Sequence, residues 1–296
     1  MVRSEPPLNP KLALAVGIAA VSTASILIRF SDSNPLIIAG YRMAFASLLM
    51  LILSASSLKQ LRGLSSTEKG ILLLSGVSLA AHFGTWTASL KYTSIAASTV
   101  IVDSSPIFVV LLSYLALGER VNSKEAAGIA ISFLGASTIA MGHIDKGSNL
   151  FGDFLALIGS ISLAAYLVAG RRLRGRLDLA PYTASVYGIS GISLLLTAGA
   201  FCIPLSGYPL KEWAIFLALA LIPSGLGHNS YNYALKYLKA SIVSVSILGE
   251  PIGASILAAI LLGELPRVTT VIGGALVLGG IYTAVTSQRG APDGKC

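Results

Sequence analysis

Residues 90–119 read LKYTSIAASTVIVDSSPIFVVLLSYLALGE, and residues 235–264 read LKYLKASIVSVSILGEPIGASILAAILLGE. Laid over one another at an offset of 145 without a gap, they align Leu90, Lys91 and Tyr92 with Leu235, Lys236 and Tyr237. Pro106 falls on Pro251, and Leu117-Gly118-Glu119 on Leu262-Gly263-Glu264. The same offset carries Gly128 onto Gly273 and Gly135 onto Gly280. Apolar coincidences alone arise easily between two hydrophobic segments. Coincident Lys-Tyr, Pro, Gly-Glu and Gly positions mark an internal duplication.

Around this pair, apolar stretches recur near 12–30, 36–55, 70–88, 95–117, 126–142, 154–169, 182–203, 213–233, 240–262 and 268–286. Most have the roughly 17–25 residues that a helix needs to cross a ~30 Å hydrocarbon layer. Hydrophobic residues make up 54% of the chain and charged residues 11%, with mean hydropathy +0.78. A soluble domain carries about 25% charged residues, so this chain has too little polar surface to cover a globule in water. A closed β-barrel would need alternating segments of about ten residues, and none appears. The expected fold is therefore an all-α integral membrane protein of ten transmembrane helices, built as two five-helix repeats over residues 1–147 and 148–296. Five is odd, so equivalent helices cross in opposite directions and the repeat is inverted.

The net charge of +8 is scattered between apolar runs instead of lying on one face, which argues against a nucleic-acid partner. With the N-terminus in the cytoplasm and alternating spans, fifteen Lys and Arg residues fall on the cytoplasmic side. Only Arg29, Lys91, Lys146, Lys211 and Arg267 fall opposite, and Arg42 lies inside a span. This bias follows the positive-inside rule and places both termini in the cytoplasm; the expected location is a bacterial-type inner membrane. Cys202 and Cys296 have neither pairing nor metal-ligand spacing, and no cofactor or metal is expected.

Inverted repeats are the architecture of many secondary transporters, with the small-molecule site near the membrane midplane between the halves. Facilitative channels also use inverted repeats, but the Asn-Pro-Ala signature of aquaporin-like pores is missing. No phosphate-binding Gly-rich loop appears, which argues against direct ATP drive. Gly188-Ile189-Ser190-Gly191, with His228 downstream, matches the short pattern of rhomboid-type intramembrane proteases. Four residues in a Gly/Ser-rich helix recur easily by chance, and a serine needs its base within hydrogen-bond reach.

Ionisable groups at membrane depth are costly and usually face the bundle interior. Asp103 lies about 14 Å into the fourth span, at ~1.5 Å per residue, and Glu250 lies similarly deep in the ninth. His82 and Trp86 sit one turn apart on one face of the third span. With Ser105 beside Pro106 they form a polar and aromatic set suited to a zwitterion. The ring attracts the ammonium, and Asp103 either pairs with it or carries a coupled proton. Tyr231 is the repeat mate of Trp86; Ser244 and Tyr166 are weaker candidates. Pro106 and Pro251 fall within their spans, where each removes a backbone hydrogen bond, and being related by the repeat they read as a pair of hinges or gates. Arg42 reads as structural, and Glu119 and Glu264 as anchors at helix ends. Gly128, Gly135 and Gly142, with Gly273 and Gly280, permit close helix packing, between the halves or between protomers of a monomer or weak homodimer.

The tandem five-helix halves, the stretch from Pro35 to Arg42, Ser104-Ser105-Pro106 followed by Gly118-Glu119 and Gly128, and Glu250-Pro251 followed by Gly263-Glu264 and Gly273 resemble the drug/metabolite transporter superfamily, EamA type. The resemblance spans nearly the whole chain. It implies a central cavity lined by helices 3, 4, 8 and 9 with parts of 1 and 6, and solute export or exchange. Within that family the chain is similar to exporters of amino acids and aromatic compounds. One position departs from repeat symmetry: Tyr187 stands where the second half would match Arg42.

Overall fold

The structure, a computed structural model, describes residues 6–54, 57–89, 91–93, 95–141, 149–263 and 265–287. Leu90, Gly142, Lys146, Glu264, Cys296 and the expected boundary at 147/148 lie outside the described residues. No strand occurs among the described residues. Among the described residues, nine helices are long and apolar enough to cross a membrane. They are α1 (Pro10–Arg29), α2 (Pro35–Leu53), α3 (Ser66–Ser89), α4 (Ala97–Leu117), α6 (Leu150–Leu173), α7 (Leu179–Ala200), α8 (Leu210–Ala234), α9 (Ala240–Leu261) and α10 (Val268–Thr286). The tenth, α5 (Ser123–Met141), carries Lys124 and Glu125 in its first turn, which dilutes its apolar character, but it packs along α10.

Local chemistry starts and stops these helices. Asn9 and Asn34 stand before Pro10 and Pro35, and their side chains accept from the N–H groups of Lys11 at 2.9 Å and Leu36 at 3.0 Å. An Asn cap followed by proline satisfies an exposed donor and removes another. Gly118 and Gly263 end the equivalent helices α4 and α9 in the left-handed conformation, at φ 68° and 70°, where a side chain would be strained.

The end-to-end contacts establish the alternation. At one end, Arg171 pairs with Glu119 at 2.8 Å, Lys239 with Glu125 at 2.9 Å, and Gln60 donates to Asp178 at 2.6 Å. At the other, Lys211 pairs with Asp32 at 3.0 Å and Thr93 donates to Asp153 at 2.6 Å. Hence α1 starts at the first end and its equivalent α6 starts at the second, the inverted arrangement. Equivalent helices also pack on each other, α2 on α7 and α5 on α10. In the second pair the backbones touch: a Cβ on Gly135 would stand 2.6 Å from the Gly273 carbonyl oxygen, and one on Gly273 2.5 Å from that of Gly135. The small-residue stripe therefore serves packing between the two halves of one chain.

Two irregularities shape the interior. The helices α4 and α9 both break midway, at residues 103–104 and 248–249, which are equivalent under the repeat. Each proline lies at the start of the second helical piece, in a first turn that tolerates a missing N–H. The break thus falls just upstream of Pro106 and Pro251, and the two helical pieces flank it. The carbonyl of Val102, which a proline four residues on cannot engage, accepts from Ser160 at 3.2 Å. The second irregularity is in α8, where Ala220–His228 is wound as a π-helix around Pro223.

Candidate functional site

The break in α4, the break in α9 and the π-helical turn of α8 surround a central cavity of about 220 Å³. Its lining comes from α1 (Val21, Ser22, Ser25, Ile28), α2 (Arg42), α3 (His82, Phe83, Trp86), α4 (Thr99, Val102, Asp103, Ser105), α6 (Leu163), α8 (His228) and α9 (Ile247, Glu250, Pro251). Six of the residues singled out by sequence thus meet on one cavity: His82, Trp86, Asp103, Ser105, Glu250 and Pro251. Ser105 and Glu250 are equivalent under the repeat, so the symmetry axis of the chain runs close to this site.

His82 is buried and its Nδ1 lies 3.0 Å from the Gly159 carbonyl. A carbonyl only accepts, so Nδ1 carries a proton. Its ring is parallel to that of Trp86, 7° apart at a centroid distance of 6.1 Å. Together they form an aromatic wall. The two carboxylates differ in their surroundings. Glu250 accepts from the Tyr231 hydroxyl at 3.0 Å, while its backbone carbonyl accepts from Ser22 at 3.0 Å. Asp103 Oδ2 is buried and has no hydrogen-bond partner. Trp86 Nε1 and Arg42 Nη2 are likewise buried without one.

Tyr231 stands one layer back from the cavity, 1% exposed, and acts on it through Glu250. Tyr166 and Ser244 do not line it. The Tyr166 hydroxyl accepts from Asn232 at 2.7 Å, and Ser244 donates to the Ser241 carbonyl at 2.9 Å. Pro106 is buried behind the break in α4.

Sequence reasoning did not place Arg42 or His228 here. Arg42 is held by its Nε, which donates to Ser224 Oγ at 2.7 Å, and by the Phe83 ring, whose centroid is 4.9 Å from its guanidinium carbon. Ser224 and His228 both belong to the π-helix of α8. A π-turn changes which face its residues present, and such turns collect at functional sites. Pro223 within an apolar run was the available signal. Ser190, the serine of the protease-like pattern, is buried with an unpartnered hydroxyl, and no hydrogen bond joins it to His228.

A larger cavity of about 670 Å³ lies between α2, α3 and α7, on the opposite face of α3. Val77, Ala80, Leu194 and Phe201 make its wall apolar, with Asn34 and Lys91 on its lining. None of the unpartnered buried polar atoms faces it. Arg42, Trp86 and Asp103, three of the residues with such an atom, line the smaller cavity instead.

The sequence model of the EamA-like transporter family matches residues 11–141 and again 150–286. The chain belongs to the EamA-like transporter family. An uncharacterized transporter of Archaeoglobus fulgidus is 29% identical over 285 residues, covering 94% of this chain and 97% of the relative. A probable terminal-alkyne amino-acid exporter of Streptantibioticus cattleyicolor is 29% identical over 195 residues, covering 62% of each chain. A solved crystal structure superposes with a TM-score of 0.78 at 18% identity, over 95% of this chain and 98% of that one; at that identity the likeness speaks for the fold. This member of the EamA-like family is accordingly a multi-pass membrane transporter.

Proposed function

We propose that the chain is a secondary transporter that exports or exchanges amino acids and related aromatic compounds by alternating access around the central cavity, in a bacterial-type inner membrane with both termini cytoplasmic. The carrying observation is the cavity itself: about 220 Å³, walled by the parallel rings of His82 and Trp86, and supplied with an unpaired carboxylate oxygen on Asp103. That volume lies below the ~300–1,000 Å³ of sites for drug-sized ligands, and suits one small metabolite. An aromatic wall and a carboxylate complement a side chain and an ammonium. The amino-acid exporter of Streptantibioticus cattleyicolor supports the same class.

Alternating access needs two near-equivalent packings of the inverted halves. The paired breaks at 103–104 and 248–249 supply equivalent flexing points, one in each half. The Arg171–Glu119 and Lys239–Glu125 ion pairs join the halves at one end, and opening there requires separating them.

Counterflow in liposomes tests the proposal. Vesicles holding purified protein are loaded with unlabelled amino acids, and uptake of labelled threonine and phenylalanine is followed for wild type and Trp86→Ala. Saturable counterflow, weakened several-fold in Trp86→Ala, is expected. Absence of counterflow for every amino acid, with folded protein, overturns the substrate assignment; flux that never saturates points to a channel.

A further inference from the structure

Arg42 is a buried cation that makes no direct ion pair among the described residues, although Asp103 and Glu250 line the same cavity. It sits two turns into α2, 4% exposed, and no carboxylate lies within ion-pair distance of it among the described residues. Burying a charge without a partner at membrane depth is expensive, and a structural arginine in such a place would spend its donors on carbonyls or on an acid. Here the opposite holds. Nε is used on Ser224 and the guanidinium face on the Phe83 ring, which together lock the group's position, yet Nη2 is buried and unbonded, and the residue lines the cavity. The group is fixed along one edge and vacant along another.

Two more residues that line the same space carry a buried unpartnered polar atom, a donor on Trp86 Nε1 and an acceptor on Asp103 Oδ2. Two vacant donors and one vacant acceptor are the complement of an α-amino acid, whose carboxylate only accepts and whose ammonium only donates. Glu250 already accepts one hydrogen bond, from Tyr231, while Asp103 Oδ2 accepts none, which favours Asp103 for the ammonium. We infer that Arg42 binds the substrate's carboxylate through its free guanidinium edge, so that a free carboxylate is a condition of transport and Ser224 acts as the positioning residue for that arginine. This rests on the amino-acid reading above and adds to it a residue the sequence had assigned to structure alone.

The test compares phenylalanine with phenethylamine, which keeps the ring and ammonium and lacks the carboxylate. In reconstituted full-length protein, internal phenylalanine is expected to drive uptake of labelled phenylalanine, and internal phenethylamine is expected to drive little. Arg42→Gln is expected to raise the KM for phenylalanine by about thirtyfold or more, the size seen when one partner of a buried charge pair is lost, and to leave the Ki of phenethylamine, read as inhibition of labelled phenylalanine uptake, unchanged. Ser224→Ala, a mild change that frees the guanidinium, is expected to raise the phenylalanine KM alone, in the same sense and by less, and provides the reading if Arg42→Gln does not fold. Equal exchange of amine and amino acid by wild type overturns the inference while amino-acid transport stands, as does a Ser224→Ala or folded Arg42→Gln protein with an unchanged ratio of phenylalanine KM to phenethylamine Ki. No counterflow of any amino acid by folded wild type overturns the amino-acid reading, and the inference with it.

Discussion

Alanine at Gly280 and alanine at Gly279 are expected to have opposite consequences, although the two residues are neighbours on α10. A Cβ on Gly280 would stand 2.5 Å from the Ser132 backbone nitrogen and 2.6 Å from the Gly128 carbonyl oxygen, where ordinary contact begins at 3.4 Å. Those atoms are backbone of α5 and cannot rotate away. The two helices must part by about 0.8 Å, the shortfall against ordinary contact, along a seam that also holds the Ser132 hydroxyl on the Val277 carbonyl at 3.3 Å. Overpacking of this kind costs about 1–3 kcal/mol. At ~2–4 °C per kcal/mol for a chain of this size, the melting temperature in detergent drops by several degrees. A Cβ on Gly279 meets nothing within 4 Å, so Gly279→Ala is neutral or gains about 0.5–1 kcal/mol from the stiffer unfolded chain and better helix propensity. Thermal unfolding of both variants, followed by tryptophan fluorescence or light scattering, decides the matter. Equal melting temperatures for the two would refute the direct backbone contact between α5 and α10.

Lys239→Met is expected to lower the melting temperature more than Lys239→Met combined with Glu125→Met. Glu125 is 0% exposed and pairs with Lys239 at 2.9 Å, and a buried charge stripped of its partner costs more than an apolar pair in its place; a double variant no more stable than the single one refutes this. Gly17→Ala places a methyl 2.5 Å from Tyr231 Cε1, displacing the ring whose hydroxyl holds Glu250, and is expected to raise the KM for substrate while Gly63→Ala, with open space around it, leaves transport unchanged. Ser160→Ala withdraws the hydroxyl from the Val102 carbonyl at the break in α4, and a buried carbonyl left unpaired costs about 1–3 kcal/mol, read as a lower melting temperature; an unchanged value would show that the carbonyl finds another donor.

Much of the architecture was legible before any coordinates. Length and apolarity set the spans, because a helix in lipid must satisfy all its backbone groups internally over a fixed thickness. The offset of 145 that pairs Pro106 with Pro251 and Gly135 with Gly280 sets the duplication, and an odd number of spans per half inverts it. The glycines at 128, 135, 273 and 280 announced a close seam, and the depth of Asp103, His82 and Glu250 announced a polar interior.

Which polar residues share the cavity was decided only in three dimensions. In a soluble helix the polar face points to water and the apolar face to the core, so period reveals direction. Here lipid replaces water, both faces of a helix are apolar, and Tyr166 or Ser244 cannot be told from Ser105 by pattern. Arg42 looks structural along the chain because its relation to Ser224 and Phe83 spans separate helices, and His228 reaches the cavity only through a π-turn that shifts the register of α8. Periodicity carries the shape of one helix; it holds no record of the rotation at which that helix meets its neighbours, and that rotation sets the site.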